Sequence, residues 1–480
     1  MKFRNNPWFF LWILLLLSST SLHSQTADTL FLGFQDFLKE VAQNHPIAQQ
    51  AGLYQERAEA ALLSARGGFD PIAEAGYKQK SFDAKNYYQY LDGGIRVPTW
   101  WGIELTAGYM QTDGIFLNPE ANLPDLGQAF VGISFPLLQG FLIDANRANL
   151  KQAKTGLEMA QQDQTLVLNQ LLFDAANTYW NWYQTEVEFR IMDQALALSQ
   201  ETFRAIRDSY IAGDRPAVDT LEAWIQVQDR LYAQQLSEVA LQMATLEMSL
   251  FRWDGNGQQI NPTYTLVTNN LPTEIEANAL SSFTVNLNLH PQLRQLFLKG
   301  QILDIERRLK VEKLKPKLSA EYRLIANQWD FVNSQVTDAN PLVNALLLDN
   351  YTAGLKFSVP LFLREARGDL KITDVKIQEL GWKASQKTAE LRTKLTQQEQ
   401  MIAVMRDQQD LLANQVLNYE RLLSLERQKL AVGESSIFLI NSRENKLIEA
   451  QLKELSLQVK TVQSVLKWQT TAARMLEWLQ

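Results

Sequence analysis

Three histidines, His23, His45 and His290, are the only imidazoles in a chain of 480 residues, and there is no cysteine. Disulfides, thiolate metal sites and a lipidated N-terminal cysteine are thereby excluded. His45 and His290 each precede a proline near a helix start, where a residue serves the turn rather than a ligand set. The serines, carboxylates and glycines form no nucleophile elbow, phosphate loop or metal cluster. No catalytic, cofactor-binding or metal-binding residue is expected, and an exported enzyme is the weakest reading. What remains is charge pairing, concentrated at two glycine-centred turns, "YIAGDRPAVDTLEA" and "LAVGESSIFLINSR". Taken alone, Asp214 caps a helix start, Asp219 and Glu222 favour its first turns through the helix dipole, and Arg215 is a solvated turn charge.

Long helices must position those turns. Between Asn146 and Ala212 there is no proline and a single glycine, Gly156. Phe189, Met192, Leu196, Phe203, Ile206 and Tyr210 share one heptad seam, with Ser199 in its gap. A helix of that span is about 100 Å long, deeper than any single globular domain. It breaks where Gly213 suits a left-handed C-terminal position and Pro216 the first turn of a new helix. The chain then returns through Leu221, Trp224 and Leu231 to about Trp253. A second hairpin runs from about Arg367 through Leu412, Val416, Tyr419 and Leu423, turns at Gly433, and returns to Gln480.

The two hairpins belong to a duplication. His45 to Tyr77 and His290 to Tyr322 align without gaps, with His-Pro, a second proline (Pro71 and Pro316) and Ala-x-Tyr in one register. Between each alignment and its hairpin the helical period gives way to alternation. Tyr351, Ala353, Leu355, Phe357 and Val359 oppose Thr352, Gly354, Lys356 and Ser358. Leu318, Ala320, Tyr322, Leu324 and Ala326 oppose Ser319, Glu321, Arg323 and Ile325. In the first half Val131, Ile133 and Phe135 oppose Gly132 and Ser134, and Ile103, Leu105, Ala107 and Tyr109 oppose Glu104, Thr106 and Gly108. Such segments fit strands that cross a bilayer, apolar to lipid and polar to a lumen, or half-buried strands of a soluble sheet. Tyr87, Tyr88, Tyr90, Trp100 and Trp101 suit an interfacial aromatic belt. Two strands per half cannot close a barrel, and an open sheet edge in lipid leaves backbone groups unpaired, so other copies must complete it.

The start, "MKFRNNPWFFLWILLLLSSTSLHSQ", has basic residues before an apolar run too short to span a bilayer, and is expected to be a signal peptide over residues 1–24, cut after Ser21 or Ser24. The remaining divisions are a first repeat (25–253), an equatorial segment (254–286) and a second repeat (287–480). The net charge of −7 has both signs interspersed. No basic stripe is left for nucleic acid.

Several passages resemble the TolC-type outer membrane efflux proteins: "NHPIAQQAG" and "NLHPQLRQ" opening the halves; "SFPLLQGF" and "SVPLFL" at strand-to-helix junctions, with Pro136, Gly140 and Pro360; "AANTYWNW" on the long helix; and the two glycine-centred tips. The resemblance implies a mixed α+β membrane protein. Antiparallel coiled-coil hairpins would form an α-barrel tunnel, and a homotrimer would share a transmembrane β-barrel of twelve strands. It implies the exit duct of a tripartite efflux pump or type I secretion system in the outer membrane of a Gram-negative bacterium. Its partners would be outer-membrane lipid, a periplasmic adaptor (membrane fusion) protein and an inner-membrane RND, ABC or MFS transporter, with no cofactor. It places an aperture at Tyr210, Asp214, Arg215, Asp219, Glu222, Glu434 and Arg443, and adaptor docking at Gly213 and Gly433. The competing reading is a periplasmic or surface coiled-coil scaffold without a pore.

One stretch departs from the pattern. Pro71 to Pro136 spans 65 residues against 44 from Pro316 to Pro360. The surplus, "YYQYLDGGIRVPTWWGIELTAGYMQ", reads as an additional hairpin that either projects beyond the barrel, the favoured expectation, or joins its wall.

Overall fold

The structure is a computed structural model that describes residues 30–260, 266–267, 285–327 and 350–479. The expected signal peptide and most of the equatorial segment lie outside the described residues. Helices α1 (Phe34–Asn44) and α2 (Pro46–Arg66) follow a short strand β1 (Leu30–Phe31). Strands β2 (Ile72–Phe82), β3 (Lys85–Pro98), β4 (Glu104–Asp113) and β5 (Gln128–Pro136) lead into α3 (Ala145–Ile211) and α4 (Ala217–Ser249). After β6 (Leu266–Val267), which pairs with β1, the plan recurs: α5 (Pro291–Glu312), β7 (Lys317–Asn327), β8 (Tyr351–Ser358), α6 (Arg364–Ala431) and α7 (Ile437–Thr471). The duplication is visible in lengths. Helices α2 and α5 have 21 and 22 residues, α3 and α6 have 67 and 68, and α4 and α7 have 33 and 35. Both long helices are thus about 100 Å long.

The seam read on α3 is observed over its middle: Leu196, Ser199 and Ile206 are buried and Phe189, Met192 and Phe203 are half-buried, whereas Tyr210 at its end is exposed. The returning helix differs from expectation. Ala223, Val227, Ala244 and Met248 of α4 are buried, whereas Leu221, Trp224 and Leu231 are 59%, 44% and 42% exposed. Small residues let α4 approach α3 closely, so its larger apolar residues lie on another stripe.

The six long strands form one antiparallel sheet in the order β2-β3-β4-β5-β7-β8. The surplus segment therefore supplies strands of this same sheet, and the expectation of a projecting hairpin is corrected. Ten residue pairs join β3 to β4, from Gln89↔Asp113 to Pro98↔Glu104. The physical reason is phase: β3 and β4 keep the same inside–outside alternation as their neighbours, and glycines permit close contact. A Cβ on Gly108 would lie 2.5 Å from the carbonyl oxygen of Gly93.

The largest core lies where the halves meet. Phe37, Leu38 and Val41 of α1 pack on Leu172, Ala175, Ala176, Tyr179, Trp180 and Trp182 of α3, on Met248 of α4 and on Val459 and Leu466 of α7. "AANTYWNW" is the hub of this cluster, and the Tyr179 hydroxyl donates to the Leu32 carbonyl at 3.0 Å. A smaller cluster at the tips joins Phe203 and Ile206, Ala223 and Ile437.

Candidate functional site

The register sorts the sheet into two faces, since residues paired across strands point the same way. One face carries Ala73, Ala75 and Tyr77 of β2, Ile95 and Val97 of β3, Leu105 and Ala107 of β4, Val131 and Ile133 of β5, Leu318, Tyr322 and Leu324 of β7, and Leu355 and Phe357 of β8. The other carries Glu74, Lys78, Asp92, Arg96, Glu104, Thr106, Ser134, Glu321, Arg323, Thr352 and Lys356. Every alternation read from the sequence falls in phase with every other. One continuous rung joins Arg96, Thr106, Gly132, Arg323 and Thr352. Arg96 pairs with Glu74 and, at 3.6 Å, with Glu104, while Arg323 pairs with Glu321. The polar face is thus a band of compensated charge.

The loop between β4 and β5 covers part of that band. The Thr112 hydroxyl donates to the Ala121 carbonyl at 2.8 Å and accepts from the Leu123 amide at 3.3 Å. Thr112 belongs to the polar face, so Pro119–Leu123 lies over it. Beneath is a cleft of about 560 Å³, lined by Glu74, Arg96, Thr106 and Arg323 from the sheet and by Glu120 and Leu123 from the loop.

At the strand-to-helix junction the structure adds a residue that sequence reasoning missed. Asp144 caps α3 by accepting from the Arg147 amide at 2.8 Å, and its other oxygen pairs with the Arg147 guanidinium at 2.7 Å. The same guanidinium donates to the carbonyls of Gly140, Phe141 (3.1 Å) and Trp101 (3.4 Å). Arg147 therefore ties the base turn of the added β3–β4 hairpin to the segment that leads from β5 into α3. Gly140 has φ +91°, and Pro136 ends β5 on the edge of this junction. The second copy departs: α6 begins after Pro360 at Leu363, which has φ +48° and no side-chain cap. A signal existed, in that "DANR" (144–147) stands opposite "REAR" (364–367) in the second copy, which keeps the arginine and lacks the capping aspartate.

The tips hold the predicted charges. Gly213 and Gly433 have φ +85° and +80°, which confirms left-handed turn positions that favour glycine. Arg215, in the turn before α4, reaches Asp219 in the first turn of that helix at 3.3 Å. Asp214 does not cap that helix; Pro216 occupies the cap position without a side-chain bond. Tyr210 is 45% exposed, and Glu222 and Glu434 stand close by on α4 and the second turn. In half two Arg443 lies 3.9 Å from Glu426, which also accepts from the Ser435 hydroxyl at 2.6 Å. Arg427 pairs with Glu444 at 2.9 Å, and Arg230 of α4 donates to Asn445 and is drawn by the charge of Glu444. Sequence reasoning missed Glu426, Glu444, Arg427 and Arg230. The signal was faint: the seam through Val416 and Leu423 next meets a glutamate, Glu426.

The two histidines are structural, as expected. Each Nδ1 caps its helix, accepting from Ile47 and Gln292 amides at 3.2 Å. His290 Nε2 faces the Thr471 carbonyl at 2.9 Å, and His45 faces that of Leu250, so each ties the start of α2 or α5 to the end of its half's returning helix. Burial holds both imidazoles below their ordinary value of 6.5. The unfolded chain takes up the protons first, so this stability is complete above about pH 6.5 and is lost as pH falls from there through the folded values. The apparent unfolding temperature is accordingly expected to drop between about pH 7 and pH 5. Replacing both histidines with Asn, which can also cap, should flatten that slope in thermal scans.

Among the described residues no group of His, Asp and Glu could hold a metal ion, and no helix is long and apolar enough to cross a membrane.

Comparison with known proteins agrees with these features. The family model described as outer membrane efflux protein matches residues 104–256. No curated sequence matches the chain. In fold it is similar to the Campylobacter jejuni CmeC outer membrane channel, at 11% identity over 92% of this chain and 85% of that one, with a TM-score of 0.61. It is likewise similar to the outer membrane protein VceC of Vibrio cholerae (12%, 92% and 96%, 0.62) and to the Neisseria gonorrhoeae MtrE outer membrane channel (12%, 92% and 89%, 0.62). The chain thus resembles the TolC-type outer membrane efflux proteins in the matched segment and in its mixed helix-and-sheet fold.

Proposed function

We propose that this chain is one protomer of an outer-membrane exit duct, through which solutes pass passively from a periplasmic transport machine to the outside of a Gram-negative cell. The observation that carries the reading is the two-faced sheet, apolar on one side and charged on the other, at one end of helical hairpins about 100 Å long. A sheet with those faces suits a wall between lipid and water.

Three copies would close both layers. Tyr232, Leu236, Val239, Met243, Leu246 and Leu250 recur on α4 at alternating spacings of four and three, and each is more than half exposed. That is a coiled-coil seam without a partner in one chain. A neighbouring protomer supplies the partner in this reading. The tips around Gly213 and Gly433 would meet a periplasmic adaptor (membrane fusion) protein, behind which an RND, ABC or MFS transporter in the inner membrane supplies energy. Tyr210, Asp214, Arg215, Asp219, Glu222, Glu434 and Arg443 would ring the periplasmic aperture.

The test is fractionation and conductance. The full-length protein expressed in a Gram-negative host is expected in the outer membrane, to need detergent for extraction, to migrate as a trimer and to form discrete channels in planar bilayers. A monomer soluble in buffer with no conductance would favour the scaffold reading.

A further inference from the structure

We propose that the wall of this duct has eighteen strands, six from each of three chains, closed by β2 of one copy pairing with β8 of the next. This rests on the trimer of the proposed function and adds the strand count, the seam and the resulting bore.

The sheet supplies the argument. The six sheet strands among the described residues are fewer than the eight of the smallest barrels, so they cannot close on themselves. The order β2-β3-β4-β5-β7-β8 is antiparallel throughout. With an even number of alternating strands, β2 and β8 run in opposite directions, and β8 meets a neighbour's β2 in antiparallel sense at every seam. All eight residues of β8 are exposed, and ten of the eleven in β2. These are the two edges, and among the described residues each has one row of backbone donors and acceptors without a strand beside it. Lipid leaves such a row no partner, so an edge inside a bilayer must be paired. Both edges also present matching faces: Ala73, Ala75 and Tyr77 toward the apolar side of β2, and Ala353, Leu355 and Phe357 toward that of β8.

The competing geometry keeps β2 and β3 out of the wall, leaving β4 as the edge that meets β8. The ladder speaks against it. Eleven residue pairs join β2 to β3 and ten join β3 to β4, and the aromatic base turn at Trp101 is held to α3 by Arg147. Removing the pair from the wall would break the second ladder entirely.

The consequence is a wide bore. At about 4.8 Å between strands and a tilt of about 40°, eighteen strands give a backbone diameter of about 36 Å, against about 24 Å for twelve. The loop Pro119–Leu123, held over the charged face by Thr112, then occupies space that a twelve-stranded barrel lacks.

The absence of native cysteine makes the seam directly testable. Ala353→Cys is combined in turn with Ala73→Cys, Ala75→Cys, Tyr77→Cys and Gln79→Cys, all on the apolar face, in full-length protein in outer membranes. Under mild oxidation one or two of these pairs are expected to convert monomer to covalent trimer on denaturing gels, reversed by reductant, because facing residues of neighbouring strands lie within disulfide reach. Ala107→Cys on β4 with Ala353→Cys should not crosslink. If it does while the β2 series stays silent, the wall has twelve strands and the proposal fails. A detergent-stable trimer that crosslinks through neither set also overturns the seam. Protein that is monomeric in detergent defeats the trimer itself, and with it the function proposed above.

Discussion

Glu444→Ala is expected to raise single-channel conductance several-fold and to lower the apparent unfolding temperature. The Glu444 carboxylate is 9% exposed and pairs with Arg427 across the second hairpin. It also offsets the burial that pulls down the pKa of Arg230, on the returning helix of the first hairpin. The carboxylate therefore ties α7 to α6, and its neighbour Asn445 accepts from Arg230 of α4, so three helices meet at this point near the tips. Removing it leaves the Arg427 guanidinium without its carboxylate and takes a nearby negative charge from the half-buried Arg230. Truncating one partner of a fully buried pair costs about 3–5 kcal/mol, and with Arg427 42% exposed the expected loss is about 1–3 kcal/mol. If the aperture is at the tips, spreading them lowers the largest resistance in series along the duct. Arg215→Ala and Asp219→Ala are expected to raise conductance less, because their pair ties the turn only to the first turn of α4 and joins no two helices. Planar-bilayer recordings at matched salt decide the matter, and equal conductance for wild type and Glu444→Ala would remove the tips from the gating account.

What the sequence made legible follows from periodicity. A duplication preserved in His-Pro pairs and in helix lengths, a heptad seam on α3 and strand alternation are one-dimensional patterns, and each appeared in place. Three things were not one-dimensional. Which stripe of α4 faces α3 depends on how closely two backbones approach, and Ala223, Val227 and Ala244 won that contact over the larger Leu221 and Leu231. Whether the added hairpin joins the sheet depends on whether β3 and β4 keep phase with β2 and β5, a property of the ladder rather than of either strand. The tip network joins Arg230 to Asn445 across 215 positions of chain, and a polar residue on an apolar seam signals only that some partner exists. Arg147 shows the same limit, since its acceptors include the carbonyl of Trp101, a backbone atom to which the sequence gives no special mark.

At the hub of the helical core, Trp180→Ala is expected to cost about 3–5 kcal/mol, in the range for removing a large buried aromatic, and Trp180→Phe far less. Trp180 is 1% exposed. Its ring lies 5.3 Å from that of Phe34 and 5.4 Å from those of Tyr179 and Tyr183, so alanine would leave a cavity bounded by three aromatics. The indole Nε1, however, is buried without a hydrogen-bond partner among the described residues. An unsatisfied buried donor carries a desolvation cost of about 1–3 kcal/mol. Phenylalanine removes that cost along with some packing volume, and the two changes oppose each other. Apparent unfolding temperatures of detergent-extracted protein should therefore rank wild type and Trp180→Phe close together, with Trp180→Ala well below. Were phenylalanine as damaging as alanine, the indole N–H would have to be engaged in a bond that holds the core together, and the aromatic packing alone would not account for the hub.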